Sequence, residues 1–261
     1  MKVMTSVGAQ FPAGPPQGKL APSGGSAVHA VTSVGAQLPV GAIIFDMDGT
    51  MIDSMPWHAR SWIVFMQRHG ITMDLAEVLR RTNGRNGAEC IRVLFQREMD
   101  DGEAWSLIHE KEVIYRELFA PRFTEVEGFQ AFYAQALARG LKVGVGTAGD
   151  QANIGFVLSH LRLPTAPLAV VGGDEGLPGK PEPAIFLEVA RRMKIRPEAC
   201  IVFEDAPFGI EAARRSGMRA VALCTSHTAA QLDGPHVIAQ VGNYTELFDM
   251  NFLETLHVAT A

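Results

Sequence analysis

Ala42-Ile43-Ile44-Phe45-Asp46-Met47-Asp48-Gly49-Thr50 is the stretch on which the reading of this chain turns. Four apolar residues predict a buried strand, and the glycine that follows two carboxylates predicts a tight turn. In an open parallel sheet the crevice beyond the carboxyl ends of the strands is where ligands bind, so Asp46 and Asp48 are expected to face it. An aspartate with a pKa of about 3.9 is ionised at pH 7, which equips Asp46 to attack phosphorus without a helper base. Asp48 then has the complementary duty of protonating the leaving oxygen and later deprotonating water. A neighbouring like charge is expected to raise its pKa for that task. On its own, Asp-x-Asp-Gly reads first as a strand ending in a turn, so the surrounding chain has to decide.

From residue 42 onward short apolar runs alternate with helical patterns, the pattern of a parallel sheet wrapped by helices. Strands are predicted over 42–45, 141–146, 168–171, 200–203, 220–223 and 237–241, and helices over 129–139, 151–161, 183–193 and 207–216. The alternation breaks once, at 57–119, which reads as helix only and sits between the first two strands. Its helices are predicted from Ser54 as cap to Gly70, over 75–81, from Asn86 with Glu89 placed as in a capping box, and over 103–119. The expected organisation is a flexible extension at 1–41, a core domain built from 42–56 and 126–261, and an inserted helical cap at 57–125. A helical lid on two crossings can close over a ligand and limit water entry.

Composition sets the limits. With 261 residues, 47% of them hydrophobic, the chain can bury a substantial core. A net charge of −5 argues against a general nucleic-acid or anionic-membrane surface, so an anionic ligand needs local cations. Cys90, Cys200 and Cys224 are odd in number and widely spaced, which suggests neither a disulfide framework nor a zinc site and fits a reducing cytoplasm. No run approaches the roughly 18 apolar residues of a membrane span. The first 41 residues are rich in Gly, Pro, Ala and Ser and contain Thr5-Ser6-Val7-Gly8-Ala9-Gln10, repeated as Thr32-Ser33-Val34-Gly35-Ala36-Gln37. Two copies do not make a solenoid.

Three further polar clusters fall at strand ends. Gly146-Thr147-Ala148-Gly149-Asp150 offers a hydroxyl and free backbone N–H groups to a phosphate, or simply caps the next helix. Lys180, in Lys180-Pro181-Glu182-Pro183, is a point charge able to hold a phosphate against crowded carboxylates, or a solvated loop lysine. Glu204-Asp205 ends the fourth strand. Asp46, Asp48, Glu204 and Asp205 converging at one sheet edge would repel without a cation, and oxygen donors beside a phosphate select Mg²⁺.

These four pieces, in this order and with a helical insert after the first, resemble the haloacid dehalogenase superfamily, in particular its capped phosphatases and β-phosphoglucomutase-like members. The resemblance covers about residues 43–248. It implies an α/β, Rossmann-like core with an inserted all-helical cap, and Mg²⁺ as cofactor. Carried over by position, Asp46 is the nucleophile and Asp48 the general acid/base, with its backbone carbonyl on the metal. Thr147, Ala148 and Lys180 become the phosphate-binding residues, and Asp46, Asp48, Glu204 and Asp205 the metal site. Ala148 and Gly149 stand where relatives often carry Asn and a small hydroxyl residue, so only their backbone amides remain usable.

Halide displacement needs no protonation by Asp48, which makes phosphate esters the expected substrates. Specificity is expected from the cap, with His58, Arg85 and Lys111 as candidate substrate contacts, each of which also reads as an ordinary surface residue. The expected activity is Mg²⁺-dependent hydrolysis of a small phosphorylated metabolite by a cytoplasmic monomer or small homo-oligomer. A phosphosugar mutase shares the covalent step, but Gly87 stands where the mutase cap carries an arginine; Arg85, two positions away, keeps that reading open. A third reading is a catalytically silent binding protein, against which the complete acidic and lysine motifs argue.

Overall fold

The computed structural model describes residues 39–82 and 87–258, so the repeated segment near the N-terminus and Arg85 lie outside the described residues. Within them, six parallel strands form one sheet in the order β3-β2-β1-β4-β5-β6. The strands are β1 (Ala42–Phe45), β2 (Lys142–Gly146), β3 (Ala169–Val171), β4 (Cys200–Glu204), β5 (Arg219–Leu223) and β6 (Val237–Val241). The helices are α1 (Met55–Arg68), α2 (Leu75–Thr82), α3 (Gly87–Phe95), α4 (Asp101–Phe119), α5 (Phe129–Ala138), α6 (Gln151–His160), α7 (Ala184–Met193), α8 (Pro207–Arg215), α9 (Tyr244–Asp249) and α10 (Phe252–Thr255). This is a Rossmann-like core with an inserted helical cap, as the strand and helix pattern predicts.

β1 lies between β2 and β4, with Phe45 opposite both Val145 and Phe203, and all four of its residues are fully buried. A strand covered on both faces reads as an unbroken apolar run rather than an alternation. Ile43 and Phe45 point into a core shared with Phe129, Phe132, Tyr133 and Tyr244. Ala42 and Ile44 point to the other face, against Ile185, Phe186 and Val189 of α7. Phe45 is the aromatic hub of the first face, its ring centroid 5.0 Å from Phe203, 5.2 Å from Phe129 and 6.2 Å from Tyr244.

Helices α1 to α4 have their own apolar centre, built from Trp62, Phe65, Met66, Val78, Ile91, Leu94, Ile108 and Ile114. Tyr115 and Phe119, at the carboxyl end of α4, belong instead to the core domain's cluster. The two crossings between cap and core run side by side: Asp53 N donates to Thr124 O at 3.1 Å and Val126 N to Met51 O at 3.1 Å. The two crossings are thus paired as a short two-stranded strap.

Element ends differ from expectation for local reasons. Helix α1 starts at Met55 because Pro56 suits the first turn, where its missing N–H costs no hydrogen bond. Ser54 holds the N-cap position without capping; its hydroxyl goes elsewhere, as described below. Helix α4 starts at Asp101, since the Asp100 carboxylate accepts from Glu103 N at 2.8 Å. Asn86, expected to open the third cap helix, lies outside the described residues. Leu168 still donates its N–H to Val143 O at 2.8 Å, but its side chain is 60% exposed and β3 begins one residue later.

The aromatic hub sets the stability of the sheet. Phe45→Ala should lower the free energy of unfolding by about 3–5 kcal/mol, read from the urea midpoint at unchanged m-value.

Candidate active site

The reversal of strand order at β1 opens a crevice at the carboxyl edge of the sheet. Asp46 follows β1 and stays in register there, its N–H donating to Phe203 O at 2.9 Å. Thr147 follows β2, Glu204 and Asp205 end β4, and Lys180 arrives from the loop between β3 and α7. Lys180 Nζ contacts Asp46 Oδ1 at 2.5 Å and Glu204 Oε1 at 2.8 Å, and lies 4.7 Å from the Phe186 ring centroid. Glu204 Oε2 accepts from Ala206 N at 2.7 Å. The Thr147 hydroxyl accepts from Gly149 N at 3.0 Å, and Asp150 caps α6 through Asn153 N at 2.7 Å. Ala148 is exposed at the loop's tip.

Gly49 turns the chain with φ of 78°, and a side chain there would run into the Asp205 carboxylate, leaving Gly as the residue that fits. Thr225 Oγ1 donates to Gly49 O at 2.5 Å, and His227 Nδ1 to Asp205 O at 2.9 Å, so the loop after β5 buttresses both turns.

Asp46, Glu204 and Asp205 are 6%, 1% and 3% exposed. Burial first, then the Glu204 and Asp48 charges, push the Asp46 carboxyl up to about 8 even though Lys180 pulls the other way. Burial, Glu204 and Asp46 likewise hold Asp205 well above the carboxylate range. Lys180 goes up as well: burial opposes its charge, but Asp46 and Glu204 outweigh burial. Three buried carboxyls therefore crowd one ammonium, and ionising Asp46 and Asp205 together calls for further positive charge. Asp205 Oδ2 is buried without a hydrogen-bond partner among the described residues. A hard dication such as Mg²⁺ fits that deficit and donor set. Among the described residues no three His, Cys, Asp or Glu side chains form a finished metal cage, because Asp46 and Glu204 turn to Lys180.

Asp48 departs from expectation. Its side chain leaves the acidic cluster for the cap, where Oδ1 accepts from Ser54 Oγ at 2.7 Å, His58 Nε2 at 3.1 Å and Tyr115 Oη at 3.3 Å. Burial raises its pKa, but His58, the Ser54 hydrogen bond and Lys111 together outweigh that, and the carboxyl lies below its usual value. The like-charge elevation expected at Asp48 falls on Asp46 and Asp205 instead. Tyr115, pushed up by burial and then by Asp48, stays a hydroxyl donor.

Of the cap candidates, His58 and Lys111 meet at the site. Lys111 Nζ lies 2.8 Å from His58 Nδ1, is 3% exposed, and packs 5.0 Å from the Trp62 ring centroid, so it is no solvated helix charge. A lysine ammonium only donates, which makes Nδ1 the acceptor and leaves Nε2–H to donate to Asp48. Glu112, Tyr115, Asn153, Thr225 and His227 escape the sequence reading, and Ser54 reads there only as a helix cap. Tyr115 was detectable, four residues after Lys111 and so on the same helix face. The polar run Thr225-Ser226-His227-Thr228 at a strand's carboxyl end was the signal for the buttressing loop.

A parallel α/β core with an acidic, lysine-paired pocket at its carboxyl edge and a helical lid defines a capped hydrolase. The chain belongs to the haloacid dehalogenase-like hydrolases, whose family model matches residues 40–217. It is 33% identical over 180 residues to fructose-1-phosphate phosphatase YqaB of Escherichia coli (strain K12), covering 69% of this chain and 94% of that protein. It is 28% identical over 186 residues to β-phosphoglucomutase of Bacillus subtilis (strain 168), covering 69% and 81%. The fold superposes on a HAD hydrolase of family IA, variant 3, from Entamoeba histolytica with a TM-score of 0.73 at 24% identity, covering 79% of this chain and 95% of that one.

Removing the shared ammonium leaves two buried carboxylates unpaired. Lys180→Met should therefore lose about 3–5 kcal/mol of stability in metal-free buffer at pH 7, measured by urea unfolding.

Proposed function

We propose that this protein is a Mg²⁺-dependent phosphatase that hydrolyses a small phosphorylated metabolite, a sugar phosphate or similar phosphomonoester, through an aspartyl-phosphate on Asp46. The observation that carries the reading is the placement of Asp46 against Lys180 at the carboxyl edge of the sheet, with Asp48 in reach of the cap. The kinship with a fructose-1-phosphate phosphatase supports the substrate class.

Asp46 Oδ attacks phosphorus as the bond to the leaving oxygen breaks, and that oxygen takes a proton from Asp48. Water then loses a proton to Asp48 and cleaves the acyl-phosphate, freeing phosphate and restoring Asp46. Lys180, the Thr147 hydroxyl and the backbone at Ala148 would hold the phosphoryl oxygens, and the N-terminus of α6 favours their charge. Mg²⁺, held by Asp46, Asp205, the Asp48 carbonyl and Glu204, would offset phosphate charge and keep Asp46 ionised. His58 Nε2, 3.1 Å from Asp48, would orient the acid/base and meet the leaving group. Residues 57–125 would act as the cap over a core of 42–56 and 126–261. The three free cysteines accord with work in a reducing cytoplasm.

Gly87 favours hydrolysis over mutase chemistry. A Cβ there would lie 2.6 Å from Ile108 Cγ1, so the cap has no room for a longer side chain at the position of the mutase's arginine.

A screen of phosphosugars and hexitol phosphates with Mg²⁺ should release inorganic phosphate. Isomer formation without phosphate would replace this reading by the mutase. Asp46→Asn should lower turnover by roughly a thousandfold or more, since the uncatalysed hydrolysis is among the slowest reactions known. Chelation with EDTA should abolish phosphate release, and added Mg²⁺ restore it.

A further inference from the structure

The contacts on Asp48 form one end of a longer polar circuit that leaves the core, crosses the cap and returns to the core. Lys111, which donates to His58, also contacts Glu112 Oε1 at 2.8 Å. Glu112 Oε2 accepts from Asn153 Nδ2 at 2.9 Å, and Asn153 Oδ1 accepts from Arg116 Nη1 at 2.6 Å. Glu112 and Arg116 stand one turn apart on α4, a spacing at which opposite charges ordinarily pair with each other. Here both turn to a single core amide. Asn153 is 2% exposed and sits in the first turn of α6, directly after the Thr147 to Asp150 loop.

An amide is the group this position needs. It offers a donor to the carboxylate and an acceptor to the guanidinium at once, which neither a carboxylate nor an apolar side chain of similar size can do. The reverse amide orientation would face NH₂ toward Arg116 and oxygen toward Glu112, so the charges also fix which way it points. Nothing in the hydrolytic steps requires Asn153 to touch substrate, yet it closes the route Asn153, Glu112, Lys111, His58, Asp48. Burial raises the Glu112 carboxyl, but Lys111, His58 and the Asn153 hydrogen bond hold it below its usual value, so it remains an anion for the amide to grip.

From this geometry we infer that Asn153 is the core-side catch of a cap latch: a positioning residue that holds α4 on the core through Glu112 and Arg116, and thereby aims His58 at Asp48. The inference rests on the phosphatase reading for its consequence in turnover, and on the contacts alone for closure.

Asn153→Asp turns a carboxylate toward Glu112. An acid in the first turn of a helix is favourable, so α6 itself should not suffer. Asn153→Leu removes both bonds without adding charge. The compensating pair Asn153→Asp with Glu112→Gln exchanges amide and carboxylate between the two positions and restores the hydrogen bond in the opposite direction. The His58 side chain is 16% exposed in the closed arrangement, so its carbethoxylation by diethyl pyrocarbonate, followed by peptide mass spectrometry on the metal-free full chain, reports opening without any turnover.

Labelling should be slow in the parent, several-fold faster in both single variants, and slow again in the exchanged pair. With Mg²⁺ and fructose 1-phosphate, kcat/KM should fall roughly tenfold or more in the single variants, mainly through kcat, and recover in the pair. Equal labelling in all four proteins, or an exchanged pair that labels as fast as Asn153→Asp, overturns the latch. A parent that labels slowly but releases no phosphate from any ester overturns the phosphatase reading and leaves the latch standing.

Discussion

Two carboxylates withdrawn from water, Asp46 and Glu204, share the ammonium of Lys180, and the carboxyl edge of the sheet is arranged around that contact. A buried ion pair gains stability only when its remaining hydrogen-bonding capacity is met. Glu204 meets this condition through Ala206 N and Lys180. The close approach depends on Gly209, where a Cβ would collide with the Glu204 carboxylate. Asp205 does not meet it: among the described residues its Oδ2 has no hydrogen-bond partner, and Lys180 is the one ammonium beside the three acids. That imbalance is what suits the pocket to a dication, whose charge would offset the crowded acids.

The same principle explains why the two aspartates of the first loop have different characters. They lie two residues apart, yet Asp46 is held above its normal range by burial among acids while Asp48 is held below it by donors from the cap. Burial on one side and donors on the other thus give two neighbouring carboxyls opposite shifts. The division is maintained across a boundary: Asp46 takes its environment from the core, and Asp48 takes much of its own from the cap helices α1 and α4. The protonation of Asp48 therefore depends on contacts made by the cap helices.

The cap is apolar inside and polar where it meets the core around the cleft. Trp62, Phe65, Ile91 and Leu94 give it a centre of its own. Around the cleft, contact with the core is carried by Ser54, His58, Glu112, Tyr115 and Arg116, groups that can exchange partners for water at modest net cost. Tyr115 and Phe119 are the exception, anchoring the end of α4 in the core cluster beside the strap at residues 51–53 and 124–126.

Order along the chain by itself determined the sheet, the place of the helical insert and the acidic and lysine motifs, because strands buried on both faces write themselves as short apolar runs and loops at their ends as polar ones. Asp46, Lys180, Glu204 and Asp205 were legible for that reason: each sits at or near a strand's carboxyl end or in the loop that follows. What only the tertiary structure decided was which charges neighbour which. Ser54 reads as a helix cap and serves Asp48; Lys111 reads as a solvated charge and is buried against Trp62; Asn153 reads as an unremarkable helix residue and joins Glu112 to Arg116. Such roles depend on distances between residues dozens of positions apart, and on burial that multiplies the strength of each charge, neither of which local pattern or spacing encodes.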